Sequence, residues 1–373
     1  MTCRQIELNT TAARAIQAQL CIPELGSGPG LVVCADAQVA DETVQRLCEL
    51  FSEEGYLVIA LRAQGKSAPE QQDVAAAVDA LRKLDSCKGG VGAVTYGAAA
   101  IAALECAARG LLGCVSCYRP TGLEACSGEL KRVSAAVLLH VAQPLEASVA
   151  KAVRESQHAQ VYEYADGGSD GWLPGDAGAP HTSGIAHSRT LGLLRSTIGP
   201  RYDLSALWDA HRNCEFVTRD ADATMRTMVE QPYVNHVPTM TGGYGSTELR
   251  RFYHDHFIPN NPADMRSIPV SRTVGADCVV NETILCFTHD REIEWMLPGV
   301  PPTGKYVEVA LVGIITFRGG KLAHEHIYWD QASVLAQIGL LDPAGLPVAG
   351  AAAARKVLDP SLPSNELMPN WRT

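Results

Sequence analysis

The fold of the C-terminal half is decided by the run Gly320-Lys321-Leu322-Ala323-His324-Glu325-His326-Ile327-Tyr328-Trp329-Asp330. Strand side chains alternate between two faces, so this run is predicted to form a strand with one polar, ionisable face. That face carries His324, His326, Tyr328 and Asp330. Ile327 and Trp329 are predicted to project to the opposite face. The apolar spacing over residues 332–341 predicts a helix directly after the strand.

The composition indicates a globular protein of two domains. The chain has 373 residues, and single cores seldom grow beyond roughly 250 to 300 residues. Its net charge of -10 comes without a stripe of Lys and Arg, which argues against a nucleic-acid partner. No apolar run approaches the ~20 residues of a membrane span, and the first residues lack the apolar region of a signal peptide. A cytoplasmic protein that does not contact a membrane is therefore expected.

The cysteines do not indicate a metal or redox site. The chain has twelve, and several of them lie in apolar runs where a free cysteine packs as a small hydrophobic residue. Cys114-Val115-Ser116-Cys117 is the sole CxxC sequence, and it has neither a second pair nor nearby histidines. We therefore expect no metal and no cofactor.

Strand-like and helical patterns alternate from residue 29 to about 195. Short apolar runs predict buried strands at 30–34, 56–60, 92–96, 135–139 and 160–164. The segments 43–54, 74–84 and 98–109 between them have the spacing of amphipathic helices. Strands that alternate with helices form a parallel sheet covered on both faces. Residues 1–198 are therefore predicted to form a doubly wound α/β domain.

The pattern changes at Ile198-Gly199-Pro200-Arg201. Helical patterns come first, at 204–229 and 247–257, and strand-like stretches follow at 268–274, 277–288, 307–317 and 322–330. Helices followed by an antiparallel sheet indicate an α+β domain, which is predicted for residues 202–341. Residues 342–373 are rich in proline and are predicted to form a tail on the surface or on a neighbouring subunit.

The run Val91-Gly92-Ala93-Val94-Thr95-Tyr96-Gly97-Ala98-Ala99 predicts a strand that turns sharply into a helix. With the order of elements around it, this run resembles the dienelactone hydrolase branch of the α/β-hydrolases. That family's turn reads roughly Gly-Tyr-Cys-Leu-Gly-Gly and exposes a cysteine nucleophile at a helix N-terminus. Gly97 occupies the nucleophile position here, and glycine has no sulfur or oxygen that could form an acyl-enzyme.

The partners of such a nucleophile are missing as well. The family's Asp-bearing loop falls on His140-Val141-Ala142-Gln143-Pro144, which contains no carboxylate, and its His-Gly-Phe aligns with Asp170-Gly171-Trp172. The candidates for a substitute are Cys34, Cys106, His181 and His187. The resemblance covers residues 5–195 and implies a hydrolase fold without hydrolase chemistry, retained for packing or dimerisation.

Several signals in the second half occur in a fixed order. They are Tyr233-Val234-Asn235-His236-Val237-Pro238, Leu297-Pro298-Gly299-Val300-Pro301-Pro302-Thr303-Gly304-Lys305, the strand that ends at Asp330, and Gln337-Ile338-Gly339. Together they resemble the SnoaL-like polyketide cyclases of the nuclear transport factor 2-like superfamily. The resemblance implies a cone-shaped α+β domain with an apolar cavity, His236 at a helix end, a homodimer, and acid/base catalysis without a cofactor.

The resemblance also assigns roles to residues. It places Asp330 on the family's acid/base carboxylate, with Glu325 on the position of its His and His326 on that of its Trp. Asp330 is predicted to act as the base, and His326 and His236 as proton donors or oxyanion stabilisers. Further residues expected to bind the substrate are Tyr253, Tyr328, Glu294, Trp295 and His324.

The leading hypothesis is a cofactor-independent cyclase, dehydratase or isomerase that acts on a hydrophobic, carbonyl-containing small molecule of specialised metabolism. Two alternatives stay open. The first half could be an ester or lactone hydrolase, or the chain could be a non-catalytic protein that holds a ligand or a partner. Fold alone does not decide between them, because one fold hosts unrelated activities.

Overall fold

The structure is a computed structural model that describes residues 1–10, 14–63, 67–164 and 180–371, without the side chains of residues 180 and 181. The chain divides into two compact units, Met1–Tyr202 and Asp203–Thr373. No helix in the described ranges combines the length and the apolar character needed to cross a lipid bilayer.

In the described part of the first unit, eight strands form one sheet. They are β1 (Thr2–Asn9), β2 (Ala15–Ile22), β3 (Gly28–Ala35), β4 (Leu57–Leu61), β5 (Cys87–Tyr96), β6 (Cys114–Tyr118), β7 (Ala136–Val141) and β8 (Ala159–Glu163). Their order is β1-β2-β4-β3-β5-β6-β7-β8. The pairs β1/β2 and β2/β4 are antiparallel, and the other pairs are parallel.

Helices cover both faces of this sheet. They are α1 (Asp41–Glu53), α2 (Gln71–Arg82), α3 (Ala100–Ala108), α4 (Ser127–Arg132), α5 (Ala147–Glu155) and α6 (Pro180–Thr197). On β3, Val32 and Cys34 pack in one buried cluster with α2 to α5, whereas Val33 is buried outside that cluster. Helices α1 and α6 contact the sheet with residues that also lie outside it. The predicted doubly wound α/β architecture is therefore confirmed for the first half.

The sequence patterns miss three strands of this sheet. Strand β1 is an edge strand and β2 lies next to it, and a disulfide between Cys3 and Cys21 joins the two. Strand β6 contains the CxxC sequence, and both Cys114 and Cys117 are buried in the sheet. Burial raises the pKa of each of these thiols to about 12. The CxxC sequence is thus part of the core, because a buried thiol is a poor nucleophile and ligand.

The second unit contains a six-stranded sheet. Its strands are β9 (Met228–His236), β10 (Thr241–Tyr244), β11 (Arg266–Val274), β12 (Cys278–Thr288), β13 (Tyr306–Arg318) and β14 (Lys321–Trp329). Their order is β10-β9-β14-β13-β12-β11, with β9 and β14 parallel and all other pairs antiparallel. The predicted strands from residue 268 onward are all present. The helix end expected at His236 is wrong, because His236 lies on strand β9.

Helices pack on both faces of the second sheet. They are α7 (Leu204–Phe216), α8 (Ala221–Arg226), α9 (Ser246–Arg251), which continues into a π-helix at Phe252–Phe257, α10 (Gln331–Ile338) and α11 (Ala351–Leu358). Helix α7 contacts β12 and β14. Helix α11 lies within the predicted tail, and its Ala354 packs against Ile284 and Cys286 of β12. Because Asn281, Thr283 and Leu285 alternate with these two residues, they face the opposite side of the sheet.

Candidate functional site

Strand β14 alternates as predicted, but its two faces are assigned in the opposite sense. Glu325, Ile327 and Trp329 are buried, whereas His326 is half-buried and Tyr328 is 42% exposed. A strand has a side-chain period of two, so the interior receives one of the two sets as a whole. The set that faces the interior is the one with two large apolar residues, Ile327 and Trp329, and Glu325 is buried together with them.

Asp330 caps a helix and does not line a cavity. It is exposed, and its carboxylate accepts hydrogen bonds from the backbone N–H groups of Ala332 at 3.0 Å and Ser333 at 3.3 Å. The Ser333 hydroxyl also donates to it. An aspartate at the N-cap of a helix satisfies N–H groups that have no partner within the helix. The structure therefore gives the predicted base a capping role at the start of α10.

The other predicted residues fall into two groups. His236, Tyr253 and Trp295 line the cavity described below. Glu294 lies outside it, is 42% exposed in its side chain, and is hydrogen-bonded to Nδ1 of His256. The rings of His324 and His326 lie 5.5 Å apart on the outer face of β14, with Tyr328 on the same face.

The described part of the second unit contains a cavity of about 60 Å³ between α7 and the inner face of the sheet. This volume is smaller than the roughly 300 to 1,000 Å³ that is typical of small-molecule sites, and the cavity is partly open to solvent, so a larger ligand would extend into that opening. The walls are mainly apolar and aromatic. They include Trp208, Phe216, Val234, Phe257, Leu285, Trp295, Leu311 and Ile327. Polar side chains reach the same space from Arg212, Glu215, Tyr253, Ser267, Asn281, Thr283 and Glu325.

A buried charged cluster lies at this cavity. Nε2 of His211 is 3.2 Å from a carboxylate oxygen of Glu215 and 3.2 Å from one of Glu325. His211 is fully buried, and the two glutamates are 4% and 3% exposed. Glu215 follows His211 by one helical turn on α7, and Glu325 comes from β14, so the cluster requires the helix to pack on the strand.

The protons on His211 follow from its neighbours. The hydroxyl of Thr227 donates to the carbonyl of Thr224 at 2.6 Å, so it accepts at its oxygen from Nδ1–H of His211, also at 2.6 Å. If the ring were neutral with its proton on Nδ1, the lone pair of Nε2 would face two carboxylates, which is unfavourable. Burial opposes the charged ring, but Glu215 and Glu325 outweigh it and raise the pKa of His211 to about 10. His211 is therefore an imidazolium at neutral pH.

Burial disfavours the charged form of the acidic groups as well, and for an acid this raises the pKa. It raises the pKa of Glu325, while the hydrogen bond and charge of His211 hold this pKa down. Burial also raises the pKa of Tyr253 well above its usual value, and the charges of Glu325 and Glu215 add to the effect. Glu325 is thus a base of increased proton affinity beside a phenol that keeps its proton.

Four buried polar atoms at this cluster have no well-aligned hydrogen bond among the described residues. They are Nε1 of Trp208, Oη of Tyr253, Nε2 of His211 and Oε1 of Glu325, of which the last two face each other at 3.2 Å as an ion pair. Trp208, Tyr253 and Glu325 line the cavity, and the Trp208 ring stacks on His211 at 5.7 Å. Buried polar groups are nearly always paired, so a cluster of unpaired ones indicates a place where a ligand supplies the partners.

His236 is a neutral group in the same cavity. Its Nδ1 lies 3.2 Å from the carbonyl of Thr241, to which it donates. Burial lowers its pKa to about 4, against the hydrogen bond to Thr241, so it carries no charge at neutral pH. It packs among aromatic rings, the nearest of which is Trp295 at 4.8 Å.

Sequence patterns did not single out His211, Glu215 or Trp208. The signal was present, because residues 208, 211 and 215 have the i, i+3, i+7 spacing of one helix face. A His and a Glu one turn apart on the buried face of a helix form a polar pair that needs a partner. The residue that meets them lies more than 100 positions away along the chain and cannot be read from this spacing.

His211, Glu215 and Glu325 are also the described residues that could hold a metal ion. Their donor atoms, one nitrogen and two oxygens, lie within 4.8 Å of one another. A proton on Nε2 and a divalent cation would satisfy the same atoms. The two states differ in the protonation of His211, which can be measured.

The first unit has no nucleophile at its strand-to-helix turn. Gly97 has a positive φ of 64°, and a Cβ at this position would overlap the carboxylate of Asp36. Oδ2 of Asp36 accepts from the backbone N–H of Ala98 at 2.9 Å. In a hydrolase of this architecture, the N–H that follows the nucleophile stabilises the oxyanion. Asp36 therefore fills the space that a side chain at position 97 would need and takes the hydrogen bond of the Ala98 N–H.

The substitutes considered for this unit are not placed to act. Cys34 and Cys106 are buried, and burial raises the pKa of both thiols, that of Cys106 to about 11. His140, which was not among these candidates, is fully buried and hydrogen-bonded to Tyr164 and Thr190. His187 packs against Phe51. Asp170-Gly171-Trp172 and the side chain of His181 lie outside the described residues.

Comparisons with known proteins give likeness of structure alone. No family model and no curated protein matches the sequence. Among solved structures, a dienelactone hydrolase-like promiscuous phosphotriesterase from metagenomic libraries is 19% identical with a TM-score of 0.45, over 53% of this chain and 99% of that one. The esterase domain of a Rhodothermus marinus protein (13%, TM-score 0.42) matches 53% of this chain and 100% of its own. An esterase from Pyrococcus furiosus (13%, TM-score 0.42) matches 53% and 91%. At these identities the likeness concerns fold.

We expect His211 to be protonated in the folded protein at about pH 8, and to lose its proton near the folded-state pKa of about 10. Because this pKa lies above the ordinary value of 6.5, the protonated ring stabilises the second unit fully below about pH 6.5. That stabilisation is lost as the pH rises through about 10. Nitrogen-15 NMR of the imidazole, assigned by comparison with His211→Gln, measures the charge. A ring found neutral at about pH 7.5 would contradict the prediction, and a spectrum that changes on adding EDTA would indicate a bound cation.

Gly97→Ala should destabilise the first unit more than Gly110→Ala. Both positions have a positive φ, which costs an L-residue about 1 to 2 kcal/mol, but a Cβ at Gly110 meets nothing within 4 Å. Overlap with Asp36 should add about 1 kcal/mol or more to the loss at Gly97. The extra loss should disappear in the Asp36→Ala background. Urea unfolding measures each free energy, and equal losses at the two glycines would show that Asp36 does not occupy this space.

Proposed function

We propose that the second unit is an acid/base enzyme that abstracts a proton next to a carbonyl group of a hydrophobic small molecule. The observation that carries the proposal is the Glu325 carboxylate, which is buried at an aromatic cavity, has no well-aligned hydrogen bond at Oε1 and pairs with a charged histidine. The reaction class is that of the SnoaL-like cyclases, which the sequence resembles. The residues differ from those expected, since Glu325 takes the role that the sequence assigns to Asp330.

In the proposed step, the Glu325 carboxylate removes a proton from the carbon next to the carbonyl. The electron pair of the C–H bond moves to the carbonyl oxygen, which becomes an enolate. Tyr253 O–H and Trp208 N–H, both without partners, donate hydrogen bonds to this oxygen. Protonated Glu325 then returns the proton to another carbon, or to a leaving hydroxyl. These two outcomes are isomerisation and dehydration.

His211 is a positioning residue in this scheme, because it lies behind the cavity wall and acts through Glu325. Its positive charge holds the carboxylate in place and limits the rise of its pKa. A base works best when its pKa is close to the working pH, and burial with one cationic partner brings Glu325 toward that range. His236 supplies a neutral nitrogen in the same cavity and is a candidate for relaying the proton.

Glu325→Gln should abolish enolisation, and Asp330→Ala should not. We expect the protein to exchange the α-protons of 2-tetralone, a bicyclic aromatic ketone, for deuterium in D₂O. The exchange rate should fall by about 10²- to 10⁴-fold in Glu325→Gln, the usual contribution of a general base. Asp330→Ala should keep the rate and lose about 1 kcal/mol of stability, because it removes a helix cap. Proton NMR follows the exchange. A wild-type rate in Glu325→Gln, or its loss in Asp330→Ala, would refute the assignment.

The alternative is an ester hydrolase in the first unit, and Gly97 and Asp36 argue against it. We expect that p-nitrophenyl butyrate leaves no acyl group on any residue of β3, β5 or α3. Intact-mass spectrometry after brief incubation, followed by peptide mapping, measures acylation. An acyl group within this unit, lost on mutation of the labelled residue together with esterase activity, would establish the hydrolase.

A further inference from the structure

Arg212 is a half-buried cation in the wall of the cavity. One guanidinium nitrogen donates to the Ser267 hydroxyl at 3.0 Å. The guanidinium lies 6.0 Å from the ring centroid of Trp208 and 5.8 Å from that of Phe216. In the ranges of the chain that the structure describes, no carboxylate lies within ion-pair distance of it. Most of its five donors are therefore not used by hydrogen bonds within the protein.

A comparison with Arg272 shows what is missing at Arg212. Arg272 contacts α7, the helix that carries Arg212. Its two terminal nitrogens bind both oxygens of Asp209, at 3.1 and 2.8 Å. This two-point geometry is the preferred contact between a guanidinium and a carboxylate. Arg212 has the same chemistry, faces the cavity instead, and has no such partner from its own chain.

The carboxylates of the cavity do not neutralise Arg212. Glu215 and Glu325 both face His211, whose charge they share. The polar side chains that line the cavity from β12, those of Asn281 and Thr283, are neutral, and Oδ1 of Asn281 already accepts from Arg272 at 2.9 Å. A partly buried cation between aromatic rings gains strongly from a negative partner, because little water remains to screen the charge.

We propose that Arg212 binds the carboxylate of the substrate, which makes the substrate an aromatic or polycyclic organic acid. The guanidinium holds the carboxylate at two points, the aromatic walls cover the rings, and the reacting carbonyl lies toward Glu325 and Tyr253. The last part of this assignment rests on the proposed function. The binding of an aromatic carboxylate by Arg212 does not, and it can be tested separately.

The test compares two ligands of one shape and different charge, 2-naphthoate and 2-naphthamide, by isothermal titration calorimetry at neutral pH. The wild-type protein should bind the acid at least about tenfold more tightly than the amide, as expected for a charged hydrogen bond. Arg212→Gln should remove this preference while leaving the affinity for the amide unchanged. Arg212→Lys keeps the charge without the planar fork and should retain part of it. Arg250→Gln is the matched control, since Arg250 is exposed and pairs with Asp222.

Equal affinities of the wild-type protein for acid and amide would overturn the proposal. So would no binding of either compound, or a preference that survives in Arg212→Gln. Circular dichroism of each variant confirms that it is folded. Glu325→Gln separates this proposal from the enzymatic one, because it should lose proton exchange and still prefer the acid. A Glu325→Gln variant with wild-type exchange and an intact preference would refute the enzyme and leave the acid-binding site.

Discussion

The second unit depends on the burial of the Glu325 carboxylate. A buried carboxylate costs several kcal/mol unless a cation and hydrogen bonds meet it, and a unit of this size has a total stability of about 5 to 15 kcal/mol. His211 is the cation that meets it, and Thr227 fixes which nitrogen of His211 faces the carboxylates. Helix α7 can therefore pack on β14 in one register, with His211 between Glu215 and Glu325. The same arrangement leaves polar atoms of Trp208 and Tyr253 without hydrogen bonds at the cavity, where we propose that a substrate binds.

The first unit shows the same physics with the opposite outcome. At the turn after β5, position 97 lies between the end of a strand and the start of a helix. Here the Asp36 carboxylate fills that position, satisfies the Ala98 N–H, and excludes any side chain from Gly97. This turn is therefore a packed structural element, whereas the unpaired polar atoms that line a cavity lie in the second unit.

Much of the fold could be predicted from the sequence, because local patterns report burial. Apolar runs located five of the first sheet's strands, and the change at residue 198 located the start of a different architecture. The misses have physical causes. Strand β1 is an exposed edge with few buried residues. Strand β6 contains a CxxC sequence, which was weighed as a metal or redox pair and not as part of a buried strand. Of the predicted site residues, Tyr253, His236 and Trp295 line the cavity in the structure. Asp330, His326 and Tyr328 do not line it.

The sequence by itself determined the secondary structure of β14, its period of two, and the chemical types present on each face. It also determined that Gly97 cannot be a nucleophile, since that follows from the residue type. The tertiary structure alone decided which face of β14 is inside, because this depends on the balance between Ile327 and Trp329 on one side and His324 and His326 on the other. It also decided that Glu325 meets His211, because a contact between residues 114 positions apart is formed by packing and leaves no local pattern.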